Sequence, residues 1–105
     1  MKIDDLIFVG LNGYALALNR ITGEEVWRNN QLNSGFTTLL LDGDRLIVST
    51  NGYLYCLNPL NGEMIWENAL SGLGTGITDL ISTRGQSSQT TLRQQASQQQ
   101  TANQQ

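Results

Sequence analysis

The sequence predicts an all-β chain built from two tandem copies of one antiparallel unit, followed by a polar tail. Sliding the sequence against itself places Gly13 on Gly52 without a gap, a separation of 39 residues. Repeats of this length are typical of β-propeller blades. Short β-branched and apolar runs, each ending at an Asn-Gly pair, indicate strands joined by tight turns. Each copy is therefore predicted to form one propeller blade.

The same offset superposes identical residues throughout the two copies. The further pairs are Asp5 on Asp44, Val9 on Val48, Asn12 on Asn51, Tyr14 on Tyr53, Leu18 on Leu57, Asn19 on Asn58, Gly23 on Gly62, Glu24 on Glu63, Trp27 on Trp66 and Asn29 on Asn68. So many identities without a gap indicate duplication of a structural unit, with repeats at about residues 5–43 and 44–81.

Each predicted unit contains strands of alternating polarity. First strands are predicted at 7–11 and 46–50, and second strands at 14–18 and 53–57. In 14–18, Tyr, Leu and Leu would face one side while Ala15 and Ala17 face the other. Third strands end at the tryptophans, and further strands are predicted at 36–41 and 75–80. The order along the chain is three strands, then four, then one.

Residues 13–27 (GYALALNRITGEEVW) and 52–66 (GYLYCLNPLNGEMIW) carry a recognisable motif. They resemble the pyrroloquinoline-quinone-type repeat, roughly G-x-L-Y-A-L-D-x-x-T-G-x-x-x-W, although Asn19 and Asn58 stand where that pattern usually has aspartate. The resemblance implies one four-stranded blade per repeat, with Trp27 and Trp66 docking each blade against the next. Proteins of this kind include quinone-dependent dehydrogenases and noncatalytic scaffolds that bind other proteins.

The small size of the folded part predicts self-assembly. Roughly 80 residues bury too little surface to be robust without a disulfide, a metal or oligomerisation. The chain has one cysteine and no histidine, which excludes an internal disulfide and a Cys/His zinc site. Two blades also cannot close a circle, so the full propeller is expected to form from copies of this chain.

The predicted strand order suggests how the ring closes. Subtracting 39 from residues 36–41 lands before Met1, so the first blade lacks its innermost strand, while 75–80 is a strand with no blade after it. We expect 75–80 of one chain to complete the first blade of the next by strand exchange. A homotetramer with eight blades is expected, with a homotrimer of six blades as the alternative.

The residue inventory favours a noncatalytic binding or scaffold module that mediates protein or small-ligand interaction. A lectin-like propeller that stacks sugars on tryptophan is the alternative, and a quinone-dependent oxidoreductase relic is the third hypothesis. The last would need vicinal cysteines and a calcium site, neither of which is recognisable, so no catalytic residue, cofactor or metal is predicted. Turn residues expected at one end of the strands form the candidate ligand face. They are Asn12, Asn29, Asn30, Asn33, Asn51 and Asn68.

Charge and hydropathy bear on partners and location. The net charge is −3 and the six basic residues are scattered, so no basic stripe would hold a nucleic-acid backbone. No run approaches the length of a membrane span, and no signal peptide is visible. The chain is expected to be cytoplasmic, with neither nucleic acid nor membrane as a partner and a protein or small polar ligand as its unknown target.

The glutamine-rich, low-complexity segment 82–105 has few apolar residues and is expected to be disordered. Deleting everything after Gly85 should therefore leave the melting temperature and the assembly state unchanged, because the segment has little to bury. Calorimetry and light scattering on both lengths of chain measure this. A clear fall in melting temperature, or dissociation, would show that the segment packs.

Overall fold

The computed structural model describes residues 1–84. Within them a short 3-10 turn at Ile3–Asp5 precedes seven strands. The strands are β1 (Leu6–Leu11), β2 (Tyr14–Asn19), β3 (Glu25–Asn29), β4 (Thr37–Asp42), β5 (Arg45–Thr50), β6 (Tyr53–Leu57) and β7 (Met64–Asn68). The prediction of an all-β chain is confirmed.

The strands form two open antiparallel sheets. The first has the order β1-β2-β3 and the second has the order β4-β5-β6-β7. Strands adjacent in sequence are therefore adjacent in space. The second unit has the predicted four strands, whereas the first has three within this chain.

Asn-Gly turns join the first two strands of each repeat. Asn12 and Gly13 have φ of 52° and 81°, and Asn51 and Gly52 have φ of 51° and 81°. Two consecutive positive φ values define the hairpin turn whose twist matches that of the flanking strands, and asparagine and glycine tolerate them best. The hairpin prediction from these two dipeptides is confirmed.

The next turn in each repeat is organised by an asparagine. The N–H of Gly23 donates to the carbonyl of Asn19 at 2.7 Å, and that of Gly62 donates to the carbonyl of Asn58 at 2.7 Å. The Asn19 side-chain oxygen accepts from the Ile21 N–H at 2.8 Å, and Asn58 accepts likewise from Leu60 at 2.9 Å. A side-chain oxygen is all that this turn requires, so asparagine serves where the motif usually has aspartate.

The main core lies between the two sheets. It consists of Leu6, Ala15, Ala17, Trp27, Leu32, Leu46, Val48, Tyr55 and Leu57. β1 and β4 approach each other so closely that a Cβ at Gly10 would lie 2.9 Å from Cγ2 of Thr37 and 3.1 Å from Cγ of Leu39. A side chain at Gly10 would therefore push the sheets apart.

The strand predicted at 75–80 is absent from the structure, and its position in the repeat was also misjudged. Residues 74–84 form no ladder with any strand of the described residues. The pattern Leu-x-x-Gly-x-Thr-x-Leu begins at Leu32 and again at Leu73, which is 41 residues later rather than 39. Gly35 and Gly76 share unusual φ values of 133° and 144°. The counterpart of β4 is therefore 78–83.

This segment nevertheless lies against the second sheet. A Cβ at Gly52 would strike the carbonyl of Gly74, just as one at Gly13 would strike that of Asn33. Further along, the Ser82 hydroxyl donates to the Asp42 carboxylate. Because Gly52 lies near the start of β4 and Asp42 at its end, residues 74–82 run beside β4 in the same direction. The rest of the predicted tail, from residue 85, lies outside the described residues.

Truncating Leu57 to alanine should lower the free energy of unfolding by about 2–5 kcal/mol, because the side chain is fully enclosed between the sheets. Leu60, three residues later, is 46 % exposed. Leu60→Ala should change stability by no more than about 0.5 kcal/mol. Urea unfolding of the two variants measures the difference, and equal effects would contradict this core.

Candidate functional site

The six asparagines predicted as a ligand face divide into two groups. Asn12, Asn33 and Asn51 come together at the edge formed by the two hairpin turns. Asn29 and Asn30 lie instead at the junction between the sheets, and Asn68 occupies the corresponding position at the end of β7. The predicted ligand face thus contains exposed turn residues and one buried residue, Asn29.

At the hairpin edge, hydrogen bonds hold the 33–37 loop between the two turns. The N–H of Gly13 donates to the Thr37 hydroxyl at 2.7 Å, and the Thr50 hydroxyl donates to the carbonyl of Asn33 at 2.7 Å. The backbone of Asn33 also donates to the Tyr55 hydroxyl at 3.2 Å. Asn12 and Asn51 remain exposed beside this loop. The edge therefore presents exposed amides on a backbone held by hydrogen bonds.

Trp27 and Asn29 join the two sheets at their outer ends. Trp27 is 9 % exposed, and its indole N–H donates to the carbonyl of Pro59 at 2.8 Å. The ring lies directly on Gly62, where any Cβ would overlap it. Asn29 is 8 % exposed, and its amide N–H donates to the carbonyl of Gly62 at 2.9 Å. Both side chains thus recognise the backbone of one turn.

Asn29, one of the residues predicted for the ligand face, is buried and packs at the junction. Its side-chain oxygen accepts from the Gln31 N–H at 2.9 Å while its amide nitrogen binds Gly62. Each end of the amide therefore has one partner inside the protein, while a second N–H and a second lone pair remain. Asn68 is exposed and its oxygen accepts from the Leu70 N–H at 2.8 Å.

A polar groove of about 410 Å³ opens beside this junction. Its lining residues are Arg28, Asn29, Asn30, Gln31, Asn61, Gly62, Glu63 and Met64. Arg28 is held by Glu25, with 2.7 Å between the guanidinium and the carboxylate, and this contact raises the pKa of Arg28. The remaining donors and acceptors are mostly uncharged amides, so the groove suits a polar ligand that carries hydrogen-bonding groups.

Cys56 is enclosed in β6, opposite Trp66 on β7. Burial raises the pKa of its thiol, while the positive charge of Arg45 acts in the opposite direction. A buried thiol with a raised pKa is a poor nucleophile, so the contribution of Cys56 is packing within the sheet.

No group of three or more His, Cys, Asp or Glu side chains within residues 1–84 is arranged to hold a metal ion, and Cys56 has no adjacent cysteine. No helix in the same range has the length and apolar character to cross a membrane.

Two sheets built from one duplicated unit, docked by a tryptophan on a turn glycine, define a protein of propeller-type repeats. Residues 11–100 match the sequence profile of a family of such pyrroloquinoline-quinone-type repeats, described as the outer membrane protein assembly factor BamB. The chain belongs to this family. No curated protein matches its sequence.

The sequence interpretation missed the second role of the turn glycines. In the sequence, Gly23 and Gly62 stand out only as a matching pair, yet the Trp27 ring packs directly on Gly62. Gln31, Asn61 and Glu63, which line the groove, were not singled out either. The recurrence of a glycine four residues before each tryptophan was the available signal. It could not show that the partner of Trp27 is the glycine of the following repeat.

Replacing Asn29 with aspartate should destabilise the protein by about 1–3 kcal/mol, because a carboxylate cannot donate to the Gly62 carbonyl and would face it inside the junction. Asn30→Asp is the matched control, since Asn30 is exposed and adjacent. Thermal and urea unfolding of both variants measure the effect. Equal stability of the two would mean that the Asn29 contact contributes nothing to docking.

Proposed function

We propose that this chain is a noncatalytic propeller module that assembles head to tail with copies of itself and serves as a binding scaffold. The observation that supports it best is the pair of complementary open ends. The first sheet exposes the edge of β1, and residues 78–83 run beside β4 with no ladder of their own. An exposed strand edge favours association with a further strand.

The repeat supplies the register of the proposed exchange. In the second sheet Thr37 lies opposite Thr50, Leu39 opposite Val48 and Asp42 opposite Arg45. The residues of β4 correspond to those 41 positions later, and the residues of β5 to those 39 positions earlier. The equivalent pairs between two copies are then Thr78 with Leu11, Leu80 with Val9 and Thr83 with Leu6. In this register 78–83 would give the first sheet the fourth strand that the second sheet already has.

Ring closure follows from adding two blades per chain. The assembly ends when the last copy meets the first, because a head-to-tail interface uses two different surfaces on each chain. Four chains and eight blades remain the favoured ring, and three chains and six blades the alternative. The family description names a protein assembly factor, which supports binding of another protein rather than catalysis.

The exposed asparagines at the hairpin edge and the amide-lined groove are the two surfaces proposed for recognition. Both are built on backbone that the sheets hold in place, and loops on such scaffolds commonly carry binding. The groove also makes a small polar ligand the second candidate target. A sugar stacked on tryptophan would have to use Trp66, since the Trp27 ring is covered by Gly62.

Light scattering should report four times the 11.6 kDa chain mass, or three times in the alternative ring. Thr78→Pro and Asp79→Pro should be compared, because successive N–H groups of a strand point in opposite directions and one of the two must face β1. At least one variant should dissociate, since proline removes a ladder hydrogen bond. A monomeric or dimeric wild type, or two proline variants that assemble normally, would contradict the proposal.

A further inference from the structure

The contact that joins the two sheets has two equivalent surfaces, one at each end of the described structure, that no described residue covers. Trp27 lies on Gly62 and donates to the carbonyl of Pro59, while Asn29 donates to the carbonyl of Gly62. One repeat further, the docking pair is Trp66 and Asn68. One repeat earlier, the receiving turn is Asn19–Gly23, with Arg20 in the place of Pro59.

The earlier turn has the same shape as the one that receives Trp27. Gly23 and Gly62 both have φ of 77°. Each N–H closes its turn on an asparagine carbonyl at 2.7 Å. The difference is occupancy, because a Cβ at Gly62 would overlap the Trp27 ring, whereas a Cβ at Gly23 would meet nothing within 4 Å. The surface above Gly23 is thus an uncovered docking surface for an indole ring.

The later docking pair is correspondingly uncovered. Trp66 is 44 % exposed, against 9 % for Trp27. Asn68 is exposed, whereas Asn29 is buried. A large aromatic ring left in water on the outer strand, next to an amide, is costly unless something covers it.

We infer that Trp66 of one chain docks on Gly23 of a second copy, reproducing between chains the contact that joins the two sheets within a chain. This inference rests on the proposed assembly and names its outer interface. The Trp66 indole N–H would donate to the carbonyl of Arg20, and the Asn68 amide to the carbonyl of Gly23. The second copy is the fitting occupant because residues 1–84 of one chain contain both an uncovered tryptophan and an uncovered turn of the kind that receives it.

The replacement of Pro59 by Arg20 does not disturb this contact. The internal dock uses the carbonyl of Pro59 and the bare Cα of Gly62. Both groups belong to the backbone, and the Arg20 N–H is already engaged with the carbonyl of Asp5 at 3.0 Å. Backbone recognition of this kind depends on the shape of the turn, which the two repeats share.

The first test removes the ring. Trp66→Ala should weaken association at least about 30-fold, the loss expected for a central aromatic anchor, and should leave the unfolding of the dissociated chain unchanged. Ile65→Ala is the matched control, since Ile65 is also 44 % exposed on the same strand. Its counterpart Val26 stays 39 % exposed beside the internal dock, so Ile65 is expected outside the interface.

The second test blocks the docking surface above Gly23. Gly23→Ala should weaken association as strongly as Trp66→Ala, because the methyl group would occupy the ring position. Gly72→Ala controls for backbone strain, since Gly72 has φ of 82° and likewise has nothing within 4 Å of an added Cβ. Sedimentation velocity over a wide concentration range provides the readout for all four variants.

The outcomes separate the two proposals. A wild type that assembles while Trp66→Ala and Gly23→Ala behave like their controls would overturn the tryptophan dock and leave the scaffold proposal standing. A wild type that is monomeric at every concentration would overturn both. Selective weakening by the two test variants would support the dock.

Discussion

The Trp27 ring and the bare backbone of Gly62 hold the two sheets at one distance, and much of the remaining packing depends on that contact. A side chain at Gly62 would displace the ring and with it the carbonyl contacts of Trp27 and Asn29. At the inner side, Gly10 allows β1 to approach β4, and the Gly13 N–H reaches Thr37. The apolar core between the sheets is enclosed by these inner and outer contacts.

This arrangement explains why equivalent side chains in the two repeats have different surroundings. Each repeat carries a tryptophan and an asparagine that can dock on the following repeat, and a glycine turn that can receive the same pair from the preceding repeat. Within the chain, one such pair meets one such turn and both become buried. The other pair and the other turn lie at the two ends of the described structure, where no described residue covers them.

The strands were predictable because their signals are local. Asn12-Gly13 and Asn51-Gly52 each specify a hairpin through their own φ preferences, and alternation in 14–18 identifies a strand face that Ala15 and Ala17 bury. The segment after β7 was not predictable in the same way. The path from Trp66 to Gly76 is two residues longer than that from Trp27 to Gly35, which an ungapped comparison does not reveal. Its pairing also depends on a sheet edge that lies far away in sequence.

The sequence by itself determined the duplicated unit, the turns and the strand order, since these arise from residues close together in the chain. The tertiary structure alone decided which asparagines are buried and which are exposed. Asn29 and Asn68 are the same residue at the same place in the repeat, yet one has its amide engaged on both sides and the other is exposed. Burial is set by what packs against a side chain, and that neighbour comes from another repeat rather than from the residue's own surroundings in sequence.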